Sequence, residues 1–283
     1  MVHQKGLGLE DMSLKPSFDV LIHSASFGGI LVANELKQLG LKPLIMNGTG
    51  FPGGDMIQSL SCIQKSPSDH QRFHLPSELA GILYPAFTEI SDESVFVDPE
   101  AWKAGLWRLI DLWGLDVLFH ANIAQVVPDD LSTRVIYTDR SGLCEQSFKH
   151  VIDCSCRLSL TTTTPRAKSA QGELNVLATG LDAGTQISGS MVRVIGSRSL
   201  VTRPVAGSWL NQPGLELEIA LQHLSDDIQK LGGRIQVLPM QSLVFSDEIH
   251  QSGLINPWGR TPTKGNQILN LEWSMAHAAQ TLI

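Results

Sequence analysis

Three groupings in this sequence place reactive or ligand-binding residue types at spacings that chemistry can use. The first is Ser24-Ala-Ser-Phe-Gly-Gly29, a Ser- and Gly-rich turn between an apolar run and a helical pattern. Such a turn offers hydroxyls and backbone N–H groups at a helix N-terminus, which suits an anion, with Ser24 and Ser26 as donors. The second is Asp69-His70 followed by His74. On a helix the two imidazoles would share one face and could hold a metal. Pro67 and Pro76 bracket the segment and no third ligand accompanies it, so solvent-facing histidines and no metal are expected. The third is Cys154-Ser-Cys156, whose thiols would point to one face of a strand. Two thiolates do not complete a zinc site. The four Cys (Cys62, Cys144, Cys154, Cys156) make no C-x-x-C pair and read as buried, unreactive thiols. His23 closes the apolar run; a core or turn histidine is the plain reading, proton transfer the sharper one. The sequence has no Gly-x-Ser-x-Gly elbow and no Gly-Lys-Ser/Thr phosphate loop.

The elements that must position these residues follow from periodicity. Phe18 to His23 reads as a buried parallel strand. Gly28 to Leu39 has helical spacing and Gly40 closes it. Lys42 to Met46 is a second strand, so strand, turn, helix and strand open a Rossmann-like unit. Residues 48–97 are rich in Gly, Pro and Ser and give no assignment. Asp98-Pro99 starts a helix as N-cap and first helical residue, and Gly114 ends it after Trp113. Trp102, Trp107 and Trp113 on that helix read as packing or interface residues. A strand at Asp116 to His120 precedes a meander of Ile123–Val127, Arg134–Asp139 and Cys144–Lys149, then a strand at His150 to Asp153. Ser159 to Gly172 reads as a linker. Strands at Met191–Ile195 and Leu200–Val205, a helix through Leu217 to Leu231, a strand at Arg234–Leu238 and a helix at Leu269–Leu282 complete the chain.

Composition excludes some functions. The net charge is −7, with no basic run to displace counterions from nucleic acid. No apolar stretch reaches the length of a membrane span, and the first residues lack a secretory core, so the expected location is the cytoplasm. Charged residues make up only 17% of the chain, which points to surface covered by a partner in a homo- or hetero-oligomer.

Four patches together resemble the FAD-dependent oxidoreductases. Asp19-Val-Leu-Ile-His-Ser-Ala-Ser-Phe-Gly-Gly-Ile30 stands where that family has its strand and G-x-G-x-x-G. Lys42-Pro-Leu-Ile-Met-Asn-Gly-Thr-Gly-Phe-Pro-Gly-Gly54 matches a strand ending in Glu and a loop with a Gly pair. Val97-Asp-Pro-Glu-Ala-Trp102 leads through the meander to Val151-Ile-Asp-Cys-Ser-Cys156, where the family reads Ile-Asp-Ala-Thr-Gly. Ser274-Met-Ala-His-Ala-Ala279 is similar to the family's last helix. The resemblance implies FAD held by Ser24, Ser26, Gly28, Gly29, Asn47, Gly53, Gly54 and Ser155. It also implies an α/β fold: a Rossmann-like FAD/NAD(P)-binding domain with a parallel sheet and inserted β-meander, plus a reduced second subdomain. The expected organisation is a flexible arm (1–17), the dinucleotide-binding domain (18–158), the second subdomain (159–265) and a helix returning to the first domain (266–283).

The fingerprint departs from the family's pattern. Its three glycines permit a tight turn, close approach of the pyrophosphate, and helix-on-strand packing. Here Ser24, Ser26 and Gly29 fill those positions, Asn47 replaces the ribose-binding acid, and Ser155-Cys156 replaces Thr-Gly. Two readings follow. One is an FAD-dependent oxidoreductase, or one subunit of such an enzyme, with a weakened site and an unnamed small-molecule substrate. The other is a non-catalytic scaffold or assembly subunit that uses the fold as a protein-binding platform.

Overall fold

The computed structural model describes residues 17–65, 77–91, 94–155, 160, 170–206, 213–238 and 243–246. In chain order the first elements are β1 (Val20–His23), α1 (Phe27–Gln38), β2 (Pro43–Asn47), α2 (Gly54–Gln58) and β3 (Ile63–Lys65). Then come α3 (Ser77–Leu83), a single 3₁₀ turn at Tyr84–Ala86, β4 (Phe87–Ser91), β5 (Ser94–Val97), α4 (Pro99–Trp113) and β6 (Asp116–Phe119). The meander is β7 (Asn122–Pro128), β8 (Thr133–Asp139) and β9 (Gly142–Phe148), followed by β10 (His150–Asp153). The remainder is β11 (Ala170–Thr179), β12 (Met191–Ile195), β13 (Arg198–Ala206), α5 (Pro213–Lys230), β14 (Arg234–Val237) and β15 (Leu243–Ser246).

Four parallel strands in the order β10-β1-β2-β6 form the sheet that carries the site. Alternation in β1 divides its apolar residues between two cores. Val20 and Ile22 pack with Ile45 and Ile152 against Ile30, Ala33 and Leu36 of α1 and Trp102, Leu106 and Leu109 of α4. Leu21 points the other way, with Met46 and Val151, onto Val126, Val135, Tyr137 and Phe148 of the meander. The result is three layers: helices, parallel sheet, meander. Each fully buried aliphatic side chain contributes about 1.5–3 kcal/mol of transfer free energy. Trp102 is buried edge-on between Phe27 and Phe87, at centroid distances of 5.4 and 5.6 Å, which makes it a core residue.

α4 follows its sequence signals. Asp98 accepts from the backbone N–H groups of Glu100 and Ala101, Pro99 is the first helical residue, and Gly114 ends the helix in the left-handed conformation. A second, antiparallel sheet is built from β12, β13, β11, β14 and β15. α5 covers one face of it through Leu224 and Ile228 on Leu174, Val176 and Val201. Its other face meets Cys62, Ile63 and Phe96 through Leu200, Leu177 and Met191.

One expectation needs correction. The linker was expected to run to Gly172, but β11 starts at Ala170, a strand not found from the sequence. Gly172, Glu173 and Asn175 disfavour a strand by propensity. Pairing with β13 along its length overrides that, and Asn175 accepts a hydrogen bond from the Thr202 hydroxyl at 2.6 Å. The unassigned stretch of residues 48–97 holds α2, α3, β3, β4 and β5, elements too short to show a period. The arm before residue 17, the His70 and His74 pair, Cys156 and the expected C-terminal helix lie outside the described residues, as do the expected domain boundaries at 158 and 265. Among the described residues, no helix is long and apolar enough to cross a membrane.

Candidate functional site

The carboxyl ends of β1, β2 and β10 converge on the β1–α1 turn, the place where open α/β sheets bind ligands. Ser24 occupies the first fingerprint position with φ +84°, a left-handed backbone that L-residues adopt at a cost of about 1–2 kcal/mol. The glycine-type turn is therefore retained although the glycine is not. Gly29 keeps the third role. A Cβ there would lie 2.2 Å from the Ser24 carbonyl oxygen, so helix and turn pack together only without a side chain. Gly28 is buried beside it.

Ser26, at the second position, is the N-cap of α1. Its hydroxyl accepts the Gly29 N–H at 3.1 Å and donates to the Cys154 carbonyl at 3.2 Å. That hydroxyl proton is directed at the residue that follows β10 rather than outward. Asn47, 2% exposed, accepts the Ala25 N–H at 2.9 Å through Oδ1. Its Nδ2 donates to the Thr49 carbonyl (3.2 Å), Thr49 Oγ1 (2.7 Å) and the Phe51 carbonyl (3.0 Å). Thr49 Oγ1 in turn donates to the Phe51 carbonyl at 2.9 Å.

These bonds fold residues 48–54 back over the turn. The Gly53 N–H donates to the Ala25 carbonyl at 2.8 Å. Gly54 has φ +55° and rests on the two serines: a Cβ there would lie 2.7 Å from Ser26 Cβ and 3.0 Å from Ser24 Oγ. Farther out, the His120 N–H donates to the Thr49 carbonyl at 3.1 Å and the Ala121 N–H to the Asn47 carbonyl at 3.0 Å, so the segment also spans from β2 to β6.

Ser155 belongs to a second network. The Asp153 carboxylate, fully buried, accepts the Ser155 N–H (2.9 Å) and hydroxyl (2.6 Å) on Oδ1 and the Leu160 N–H (3.2 Å) on Oδ2. His23 Nδ1 lies 3.1 Å from Oδ1 of the same carboxylate, its register partner on β10. His23 is thus bound to a buried acid at the end of the sheet. Among the described residues no group of three or more His, Cys, Asp or Glu could hold a metal ion. Cys62 and Cys154 are buried, and burial, with Asp98 adding a smaller effect, pushes the Cys62 thiol up to about 12.

The structure therefore brings Ser24, Ser26, Gly28, Gly29, Asn47, Gly53 and Gly54 together at one turn and places Ser155 on the adjoining Asp153 network. Sequence reasoning missed Thr49, Phe51 and Asp153. The amide at position 47, where an acid was expected, was the available signal for the first two.

The overall arrangement is similar to several solved structures. One is a geranylgeranyl bacteriochlorophyll reductase-like protein from Thermoplasma acidophilum: 14% identity, TM-score 0.56, 93% of this chain and 77% of that one. Another is a flavoprotein/dehydrogenase from Cytophaga hutchinsonii: 14% identity, TM-score 0.57, 94% and 78%. A third is the p-nitrophenol 4-monooxygenase PnpA from Pseudomonas putida: 12% identity, TM-score 0.54, 94% and 78%. Other similar structures are spanned over as little as 60% of their length. No family model matches the sequence, and no curated protein matches it. The fold is that of the FAD-dependent oxidoreductases; at these identities the likeness speaks for the fold alone.

The residues present do not fit a dinucleotide in the pose that this fingerprint serves. The Ala25 N–H is taken by Asn47, the Gly29 N–H by Ser26, the Ala25 carbonyl by the Gly53 N–H, and the space over the two serines by Gly54.

Proposed function

We propose that this chain uses a flavoprotein fold as a scaffold, without a dinucleotide across the β1–α1 turn, and serves as an assembly subunit in a homo- or hetero-oligomer. The observation that carries this reading is the close approach of Gly54 to Ser24 and Ser26, which brings protein backbone onto the turn that the fingerprint forms. The low share of charged residues, 17%, supports a surface shared with a partner.

One observation favours a second reading, a working FAD-dependent oxidoreductase. Ser24 keeps the left-handed backbone of the fingerprint's first glycine. In that case Ser24, Ser26, Gly28, Gly29, Asn47, Gly53, Gly54 and Ser155 would hold the flavin, which supplies the redox chemistry when bound, and residues 48–54 would have to move.

A visible absorption spectrum of the purified protein, before and after adding FAD, separates the two. The scaffold reading expects no flavin band and none retained after desalting. A stoichiometric flavin, released by denaturation and identified by chromatography, would overturn it.

A further inference from the structure

The substitution of Asn47 for the expected acid has a specific chemical reading. The position faces two kinds of group at once. On one side is a donor, the Ala25 N–H at 2.9 Å. On the other are three oxygens, the carbonyls of Thr49 and Phe51 and the hydroxyl of Thr49, at 2.7 to 3.2 Å. An amide satisfies both sides, because it carries an acceptor and two donors. A carboxylate accepts only, and would set a negative oxygen against three lone-pair-bearing oxygens. The Thr49 hydroxyl is already committed as a donor to the Phe51 carbonyl, so it presents its lone pairs to Asn47. The network fixes the amide orientation, and position 47 is chemically an amide position.

We infer that Asn47–Gly54 is a built-in strap that takes the dinucleotide's place on the β1–α1 turn, and that Asn47 is the positioning residue that locks it. The inference rests on the scaffold reading and extends it by naming what closes the site. A ligand at this turn would be expected to take up backbone N–H groups, to neutralise the exposed helix start, and to bridge β1 to β2. The strap, together with Ser26 at the start of α1, performs these tasks with protein atoms. Asn47 Oδ1 takes the Ala25 N–H; Ser26 caps Gly29; and Gly53 and Gly54 close over the turn with one hydrogen bond and van der Waals contact. The glycine pair has φ values of +119° and +55°, and the contact of Gly54 with the serines leaves no room for a side chain. Asn47 and Gly54 are both specified by the strap, without reference to a cofactor.

Hydrogen exchange read by mass spectrometry on the full-length protein tests this, with Asn47→Asp as the first variant. Asp keeps the acceptor for Ala25 and loses the donors to the strap. Peptides covering residues 48–54 are expected to exchange about tenfold faster or more than in the wild type, while those of β11 and β13 are unchanged. Thr49→Val removes the hydroxyl that accepts from Asn47 and donates to the Phe51 carbonyl, leaves the Asn47 bonds to the two carbonyls in place, and is expected to give a smaller acceleration in the same peptides; it decides the matter if Asn47→Asp does not fold. Exchange at 48–54 within about twofold of wild type in each folded variant would overturn the strap. The wild-type spectrum is a separate readout. Flavin uptake that accelerates exchange at 48–54 would sink the scaffold reading and leave the strap as a displaceable gate. Flavin uptake with unchanged exchange there would overturn both.

Discussion

Gly29 sits so close under Ser24 that a methyl group on it would lie 2.2 Å from the Ser24 carbonyl oxygen. The obstacle is backbone, which cannot rotate away as a side chain can. Gly29→Ala is therefore expected to cost about 1–3 kcal/mol or more by overpacking, read as a lower urea midpoint. A midpoint equal to wild type would show that helix and turn can separate freely.

Ser24 gives the opposite expectation. Its φ of +84° suits glycine and strains serine. Ser24→Gly is expected to stabilise the protein by about 1 kcal/mol, net of the glycine's extra chain entropy. Chemical denaturation measures this, and a clear loss of stability would mean that the Ser24 hydroxyl contributes more than the strain costs.

Restoring the fingerprint is a stronger test of the site. The triple change Ser24→Gly, Ser26→Gly, Asn47→Glu supplies two glycines and the acid, and removes the amide donors that hold residues 48–54. Losing the Ser26 cap to glycine costs only a few tenths of a kcal/mol. FAD binding, followed by flavin fluorescence, is expected in the variant and not in the parent. A variant that folds and stays colourless would place the obstruction elsewhere in the chain.

Cys62 makes stability sensitive to alkaline pH. Burial raises its thiol from an ordinary 9.0 to about 12. Below pH 9 the thiol is neutral in both folded and unfolded chains and no stability is lost. As pH rises from about 9 to 12, the unfolded chain ionises first and the folded state loses ground. Denaturation at pH 8 and pH 10 should show this decline, and Cys62→Ala should flatten it. In the native protein at pH 8, Cys62 should also resist alkylation that the half-buried Cys144 accepts.

The parts legible in the sequence are those where one signal dominates. Asp98-Pro99 and Gly114 bracket α4 because caps act locally. The apolar run of β1 and the turns of the meander likewise needed no distant contact. β11 was missed because its Asn175 and Gly172 are tolerated only by pairing with β13, nearly thirty residues away in sequence. At the site, the sequence located the turn but not what covers it. Ser26 was legible as a phosphate neighbour; its role as the cap of α1, bonded to Gly29 and to Cys154, becomes visible only in the fold. Asn47 was read by what it lacks, the negative charge, whereas its structural role lies in the two N–H groups it gains.

The pairing of β1 with β10 has a consequence for how the chain comes into being. His23 and Asp153 are register partners separated by 130 positions. During synthesis, β1, α1 and β2 can associate early, but one flank of β1 stays unsatisfied until the whole meander has emerged. Closing so distant a contact is entropically slow, and an unpaired buried strand invites wrong partners while it waits. β1 is therefore made before the strand that pairs its second flank and is among the last to be completed, and slow or crowded translation should expose this protein to aggregation through β1 more than through the locally paired meander.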